Sequence, residues 1–432
     1  MFMANPIKKL LNRFLKMYGV SITHHTLEQT ILIIYFMKIK TILYLLILTI
    51  IVNCCSYSNQ SSEGLPIIDI TKDYPEKEIL ITDIAKITYV HLSTKKNEYL
   101  YQGTINYISE NNIIVVDESS GSVLFFAKDG TPKSRFNRYG NGPQEYAGSG
   151  WAMTKSINQI LYDEKTDEVF ISPNFKSVLQ VYSSTGKYKR SINYQLDVRN
   201  CKIDFFNHKS FIFNSGNSFF LISKIDGEVL EHVEIPNSEV DLTIKGVFFD
   251  EVTIIFRPIG SRMVKSSNGF NLCNPGTDTV YYFDKNKVLT PVLCTTPVAR
   301  DLNPVIILDN FWDVDKYQFM RIHTRHVSYY RKDNPDYLSD NPLYPDRYYV
   351  RDKKSGEVFR QKIILPDYKG KELYISAYPL KVFQKNLTHI ELDLMELKEA
   401  YRANRLSGKL KELVSTLNED EDNNVFMFIE FK

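Results

Sequence analysis

The chain has 432 residues, 43% hydrophobic, 24% charged and 13% aromatic. That composition is globular and excludes a disordered or collagenous chain. The formal charge of +2 hides an asymmetry: Lys8, Lys9, Arg13, Lys16, Lys38 and Lys40 face Glu28 alone in residues 1–53, leaving 47 basic and 50 acidic side chains elsewhere. A slightly acidic body offers no basic stripe, which argues against nucleic acid as a partner.

Residues 37–55 read MKIKTILYLLILTIIVNCC. Lys38 and Lys40 make a positive n-region, and Thr41–Val52 is an apolar stretch of signal-peptide length. The same lysines interrupt any longer span from Ile31, and a charge near the centre of a membrane helix costs roughly 2.5–3.5 kcal/mol. Ile51-Val52-Asn53-Cys54 resembles a bacterial lipobox, so Cys54 is the expected lipidation site. Asn53 departs from the small residue usual there, which keeps Cys55 as the alternative. Met37 is the expected start, with 1–36 a non-native upstream segment. Residues 56–75 read as a polar linker with no acid before Glu63. That favours a periplasm-facing outer-membrane lipoprotein over a surface-exposed one.

From Ile79 the pattern is short and alternating. IIVVDESSGSVLFF at 113–126 aligns with VFISPNFKSVLQV at 169–181, each a strand, a polar turn and a strand. Strand-turn-strand segments recur at 219–230, 280–293 and 348–364. Their turns centre on Gly130, Gly186, Gly227, Asn286 and Gly356, spaced by 56, 41, 59 and 70 residues. Glycine suits these places because tight hairpin turns need positive φ. A period near 56 with several strands per unit predicts propeller blades. Residues 76–432 then hold six four-stranded blades, with an insertion at 300–345. Leu394, Leu397 and Tyr401 predict one helix near the C-terminus. Leu410, Leu413, Val414 and Leu417 predict a second. VFMFIEFK at 425–432 is a strand that must find a partner, and pairing with the N-terminal strand would close the ring.

Residues 113–146 resemble an NHL-type repeat, with Asp117, Asp129, Gly130, Gly140, Gly142 and Pro143 at the matching places. With Cys54, DTVYYFDKNK at 278–287 and the C-terminal helix-strand, the chain is similar to the six-bladed β-propeller lipoproteins of Bacteroidetes. The resemblance implies the all-β propeller fold and a cell-envelope address, and leaves the function open.

Candidate site residues are few. Arg138 and Tyr146 in RYGNGPQEY are candidate ligand contacts at a loop rim. The competing reading makes this motif a blade-to-blade turn with Tyr146 packed beneath it. Tyr329, Tyr330 and Tyr344 belong to an aromatic cluster in the insertion and form a candidate recognition surface, since aromatic faces bind sugar rings. His323 and His326 stand in an extended segment, where i and i+3 face opposite sides and no metal site is expected. Glu419–Asp422 lacks the spacing of a calcium loop. Cys201, Cys273 and Cys294 read as buried small residues, or as one disulfide and a free thiol. No nucleophile elbow, HExxH or phosphate loop appears, so no catalytic residue is identified.

The expected role is a membrane-anchored scaffold that binds a protein, peptide or glycan on one face, with no cofactor. The alternatives are a hydrolase or lyase with Ca²⁺ or Zn²⁺ in the central channel, as in some six-bladed relatives, and a structural subunit of an envelope complex. Replacing Cys54 and Cys55 together by Ala is expected to release the protein from the membrane fraction, as read by fractionation. Retention there contradicts the lipid anchor.

Overall fold

The computed structural model describes residues 64–432 except 96–97, 148–154, 156, 174–175, 197–201, 238–243, 249–251, 257–261, 267, 326–345, 374 and 376–385. The body runs from Leu65 to Lys432. It opens with three short strands, β1 (Ile67–Asp69), β2 (Glu76–Leu80) and β3 (Ala85–His91), with one helical turn, α1 (Ile81–Ile84), before the last. Blade one follows as β4 (Ile105–Ile108), β5 (Asn112–Val116), β6 (Val123–Ala127) and β7 (Pro132–Phe136). Blade two is β8 (Gln159–Asp163), β9 (Glu168–Ser172), β10 (Val178–Tyr182) and β11 (Tyr188–Asn193). Blade three is β12 (Lys202–Phe205), β13 (Ser210–Ser215), β14 (Ser218–Ser223) and β15 (Val229–Val233). A separate hairpin, β16 (Ile244–Phe248) and β17 (Val252–Phe256), precedes blade four.

Blade four is β18 (Met263–Ser266), β19 (Gly269–Cys273), β20 (Thr279–Asp284) and β21 (Leu289–Thr296). Blade five is β22 (Val305–Asp313), β23 (Tyr317–Arg325), β24 (Arg347–Asp352) and β25 (Val358–Ile364), with β26 (Glu372–Leu373) paired to β25. The sixth place belongs to a three-stranded sheet of β27 (Leu387–Leu392), β28 (Val425–Phe431) and β3. Five blades thus have at least four strands, and the closing one has three among the described residues. Two helices, α2 (Leu394–Arg402) and α3 (Gly408–Thr416), connect β27 to β28. They bury Leu394, Leu397 and Ala400, and Leu410 and Val414, on the predicted faces. The Asp393 side chain caps α2 by accepting from the Glu396 amide at 2.9 Å.

Each strand's sequence fits its depth in the blade. The first strands of neighbouring blades meet, β4 with β8, β8 with β12 and β18 with β22. Second strands lie between two neighbouring blades and are apolar on both sides: every residue of Asn112–Val116 is buried. Outer strands alternate, as in Pro132-Lys133-Ser134-Arg135-Phe136 of β7. Proline and charge there discourage pairing with foreign strands.

Four of the five predicted turn residues occupy one place, the turn from third to fourth strand. Gly130, Gly186, Gly227 and Gly356 all have positive φ there. In blade four the residue of positive φ is Lys287, so Asn286 is corrected by one position. A Cβ on Gly130 would lie 2.0 Å from the His91 carbonyl oxygen, and one on Gly227 2.1 Å from that of Asn193. In both cases a blade's turn presses on the end of the preceding blade's outer strand.

The ring closes between the two ends of the body. β28 pairs antiparallel with β3 from Val425↔His91 to Phe431↔Ala85, and on its other side with β27. β1 and β2 add parallel strands to the outer edges of blades four and five. The first 27 residues of the body, Leu65 to His91, therefore run along three successive blades as a belt. The linker expected over 56–75 is correspondingly shorter, since Ile68 and Ile70 are buried. Phe431 seals the junction with blade five. Its ring stands edge-on to Trp312 at 4.5 Å and lies 5.1 Å from Phe319. Phe431→Ala is expected to cost about 3–5 kcal/mol in chemical unfolding. Deleting Val425–Lys432 should abolish cooperative unfolding. An unchanged melting temperature after that deletion contradicts closure by β28.

Candidate functional site

The two faces of the ring are built from connections of different length. Antiparallel order puts turns between first and second strands, and between third and fourth, on one side. On that side the connections are short, as at 109–111, 164–167, 183–187 and 224–228, apart from the helical pair of the closing blade. The opposite side receives the links between blades and the turns from second to third strand. The intervals between strands that end on that side are long, as over 137–158, 234–262 with the β16–β17 hairpin, 326–346 and 365–386.

Polar pairs tie neighbouring blades together, one of them between innermost strands. Lys265 on β18 places Nζ 2.7 Å from Asp204 Oδ1 on β12. Asp163 of blade two binds Lys224 of blade three at 2.7 Å. Asn271 of blade four donates to Asp313 of blade five at 2.7 Å, and Lys353 completes that pair. Glu164 of blade two accepts from Ser109, Asn111 and Asn112 of blade one. Asp309 binds Arg321 at 3.0 Å, which also reaches Asp346 at 3.2 Å. Each carboxylate is committed to a basic or amide group, mostly from a neighbouring blade. Such ties hold blades in register more than they stabilise, because desolvation offsets much of the attraction.

Lys202 differs from the rest. Its ammonium donates to the Met263 carbonyl at 2.9 Å, and among the described residues it has no carboxylate at ion-pair distance. Its side chain keeps solvent-accessible surface although protein surrounds it closely. Loss of hydration pushes its pKa down. Asp204 and Asp309 oppose that without offsetting it, and Lys265 adds to it. Nearby, burial is the main cause that raises the Tyr107 hydroxyl, with Asp204, Asp163 and Glu164 adding to it. An enclosed amine of this kind can hold an organic anion or act as a nucleophile. Among the described residues no group of three or more His, Cys, Asp or Glu converges.

The residues singled out by sequence have separate fates. Tyr146 is corrected as a ligand contact: it is 0% exposed. Its hydroxyl donates to Gly121 O at 2.8 Å and accepts from the Arg138 amide at 3.1 Å. Its ring stands edge-on to Phe136, Tyr139 and Tyr182, and burial pushes its hydroxyl up to about 12. RYGNGPQEY is therefore a blade junction. Arg138 remains exposed there, with Nε donating to Gly186 O at 3.2 Å. Tyr329, Tyr330 and Tyr344 lie outside the described residues, in the segment joining β23 to β24. Cys54, Cys55, Cys201 and His326 also lie outside them. His323 is buried in β23. In the acidic turn, Glu419 binds Arg402 at 3.1 Å and Asp422 lies 3.4 Å from His91. Cys273 and Cys294 are half-buried, and burial pushes the Cys273 thiol up to about 12.

Sequence reasoning missed these polar pairs. One signal was available: Asp163–Lys224, Asp204–Lys265 and Lys202–Met263 are all separated by 61 residues, close to one blade period.

Replacing Lys202 by Met is expected to raise the melting temperature at neutral pH. The unfolded chain holds the lysine proton up to the ordinary value of 10.5, whereas the folded chain releases it at lower pH. Folding therefore bears the cost of this charge most fully in acid, and the gain from Lys202→Met should shrink as pH rises towards 10.5. A lower melting temperature across that range contradicts the assignment.

Comparison with known proteins agrees with this architecture. No curated protein matches the chain. A protein of Bacteroides fragilis described as exported has a solved structure that superposes with a TM-score of 0.56 at 13% identity, covering 85% of this chain and 99% of its own. A DUF4221 family member from Bacteroides vulgatus gives 0.42 at 11% identity, with 81% and 97% covered. Virginiamycin B lyase from Staphylococcus aureus gives 0.37 at 9%, with 81% and 100% covered. The first of these likenesses shows the fold. Residues 56–378 match the family model of DUF5128, described as a 6-bladed beta-propeller, and the chain belongs to that family.

Proposed function

We propose that the protein is an exported, lipid-anchored envelope scaffold that holds a protein, peptide or glycan on the face built from the long connections. The observation that carries this reading is the difference between the two faces. A rigid ring with short turns on one side and long connections on the other concentrates its adaptable surface where recognition usually sits. The aromatic segment with Tyr329, Tyr330 and Tyr344 belongs to one of those connections. The export address is supported by the signal ending at Cys54 and by the description of the Bacteroides fragilis protein. The channel hydrolase or lyase is the weaker reading, because Asp204 and Asp163 are engaged in ties between blades.

A photo-crosslinking residue at Tyr330 should give defined adducts in the native envelope. The same residue at Asn207, in a short turn on the opposite face, should give none. Adducts from Asn207 alone, or equal labelling from both, contradict the assignment of the binding face.

A further inference from the structure

Eight large apolar side chains are exposed among the described residues, and five lie on the outer rim of blades three and four: Ile67, Ile225, Val229, Leu230 and Val288. Ile225 is 76% exposed, Leu230 54% and Val288 51%. Ile225 occupies the turn before β15, Val229 and Leu230 begin β15, and Val288 occupies the equivalent turn before β21. The two blades are joined at this place by the Lys287–Glu231 ion pair, whose members adjoin Val288 and Leu230 in sequence. Ile225, Val229, Leu230 and Val288 therefore gather in one patch, with Ile67 further along the rim at the level of Cys294. Solvated aliphatic side chains gathered in one patch mark an interaction surface. On blades one and two the outer strands carry Lys133 and Arg135, and Lys189 and Arg190, instead.

The chain itself indicates what covers the patch. β1 runs parallel to β21, with Ile67 opposite Cys294, so the chain reaches β1 from the Val288 end of that strand. From Val288 to Cys294 is roughly 20 Å at strand rise. Residues 55–64 separate Cys54 from Leu65, and even fully extended they reach only about 35 Å. A lipid on Cys54 therefore holds its membrane within reach of this rim. Tethering also makes weak surface contacts effective, because the second contact is intramolecular. Asp226 and Glu228 follow Ile225 and Glu231 follows Leu230, so the contact would rely on apolar insertion and not on anionic lipid.

We propose that the rim of blades three and four rests on the phospholipid surface that holds the N-terminal anchor. This rests on the lipid-anchor reading above. The rim presents short turns, so the face of long connections is left turned away from the membrane.

The test uses the full lipidated protein on phosphatidylcholine vesicles, with and without brominated acyl chains as a quencher. Ile225→Trp reports on the rim, and Leu100→Trp, an exposed site between β3 and β4, is the control. Wild type supplies the background of its own two Trp. The expected result is a loss of emission for Ile225→Trp on brominated vesicles, with Leu100→Trp at the wild-type level. If both variants float with the vesicles and Ile225→Trp is not quenched, the rim proposal is overturned while the anchor stands. If the wild type does not float, the anchor reading fails and the rim proposal fails with it.

Discussion

The pairing of β28 with β3 is the constraint on which the molecule depends. A propeller is a string of sheets, each of which packs only against its neighbours, so nothing local holds the first blade to the last. Here the C-terminal strand lies between β27, from its own end of the chain, and β3, from the other end. The belt then continues outward, with β1 and β2 on blades four and five. Three consecutive blades are thereby tied by one short stretch of chain. Conformational freedom lost at closure is offset by a continuous apolar seam. Trp312, Phe319 and Phe431 meet on one side of the closing blade, and Phe426 and Phe428 join the core of blades one to three on the other.

Closure also organises the polar interior. Blades cannot slide past one another while Asp163, Asp204 and Asp313 are bonded across their boundaries. Breaking such a pair strands a buried charge, and this penalty keeps the register unique. Lys202 is the departure from that rule, a cation that donates to the Met263 carbonyl and, among the described residues, has no carboxylate at ion-pair distance. Its place at the start of β12 puts it towards the side of the long connections. The proposed geometry of the anchored protein follows from the same frame, with short turns and exposed aliphatic groups towards the membrane and long connections away from it.

Much of this was legible in the sequence, for identifiable reasons. Recurring turns carry a local chemical signature, because positive φ selects glycine, and Gly130, Gly186, Gly227 and Gly356 all fell at the same turn. Blade four uses Lys287 instead, which no glycine count could find. The closing strand was visible because seven apolar-rich residues at a chain end need a partner. The start of the belt was not, since β1 has three residues among polar neighbours and alternation needs a longer run. Tyr146 looked like a ligand contact because sequence does not show that its hydroxyl is satisfied by Gly121. The pairs between blades were hidden because they join residues about one blade apart, where no short motif can form.

The measurement that tests closure most directly is native-state hydrogen exchange, read peptide by peptide. If β3 and β28 lock the ring, their amides exchange only on global unfolding, with the same free energy as the amides of β9 in the middle of blade two. Protection of β3 and β28 far below that of β9 would show the two ends opening while the blades stay folded. The seam would then be an ornament of the ring and not its lock.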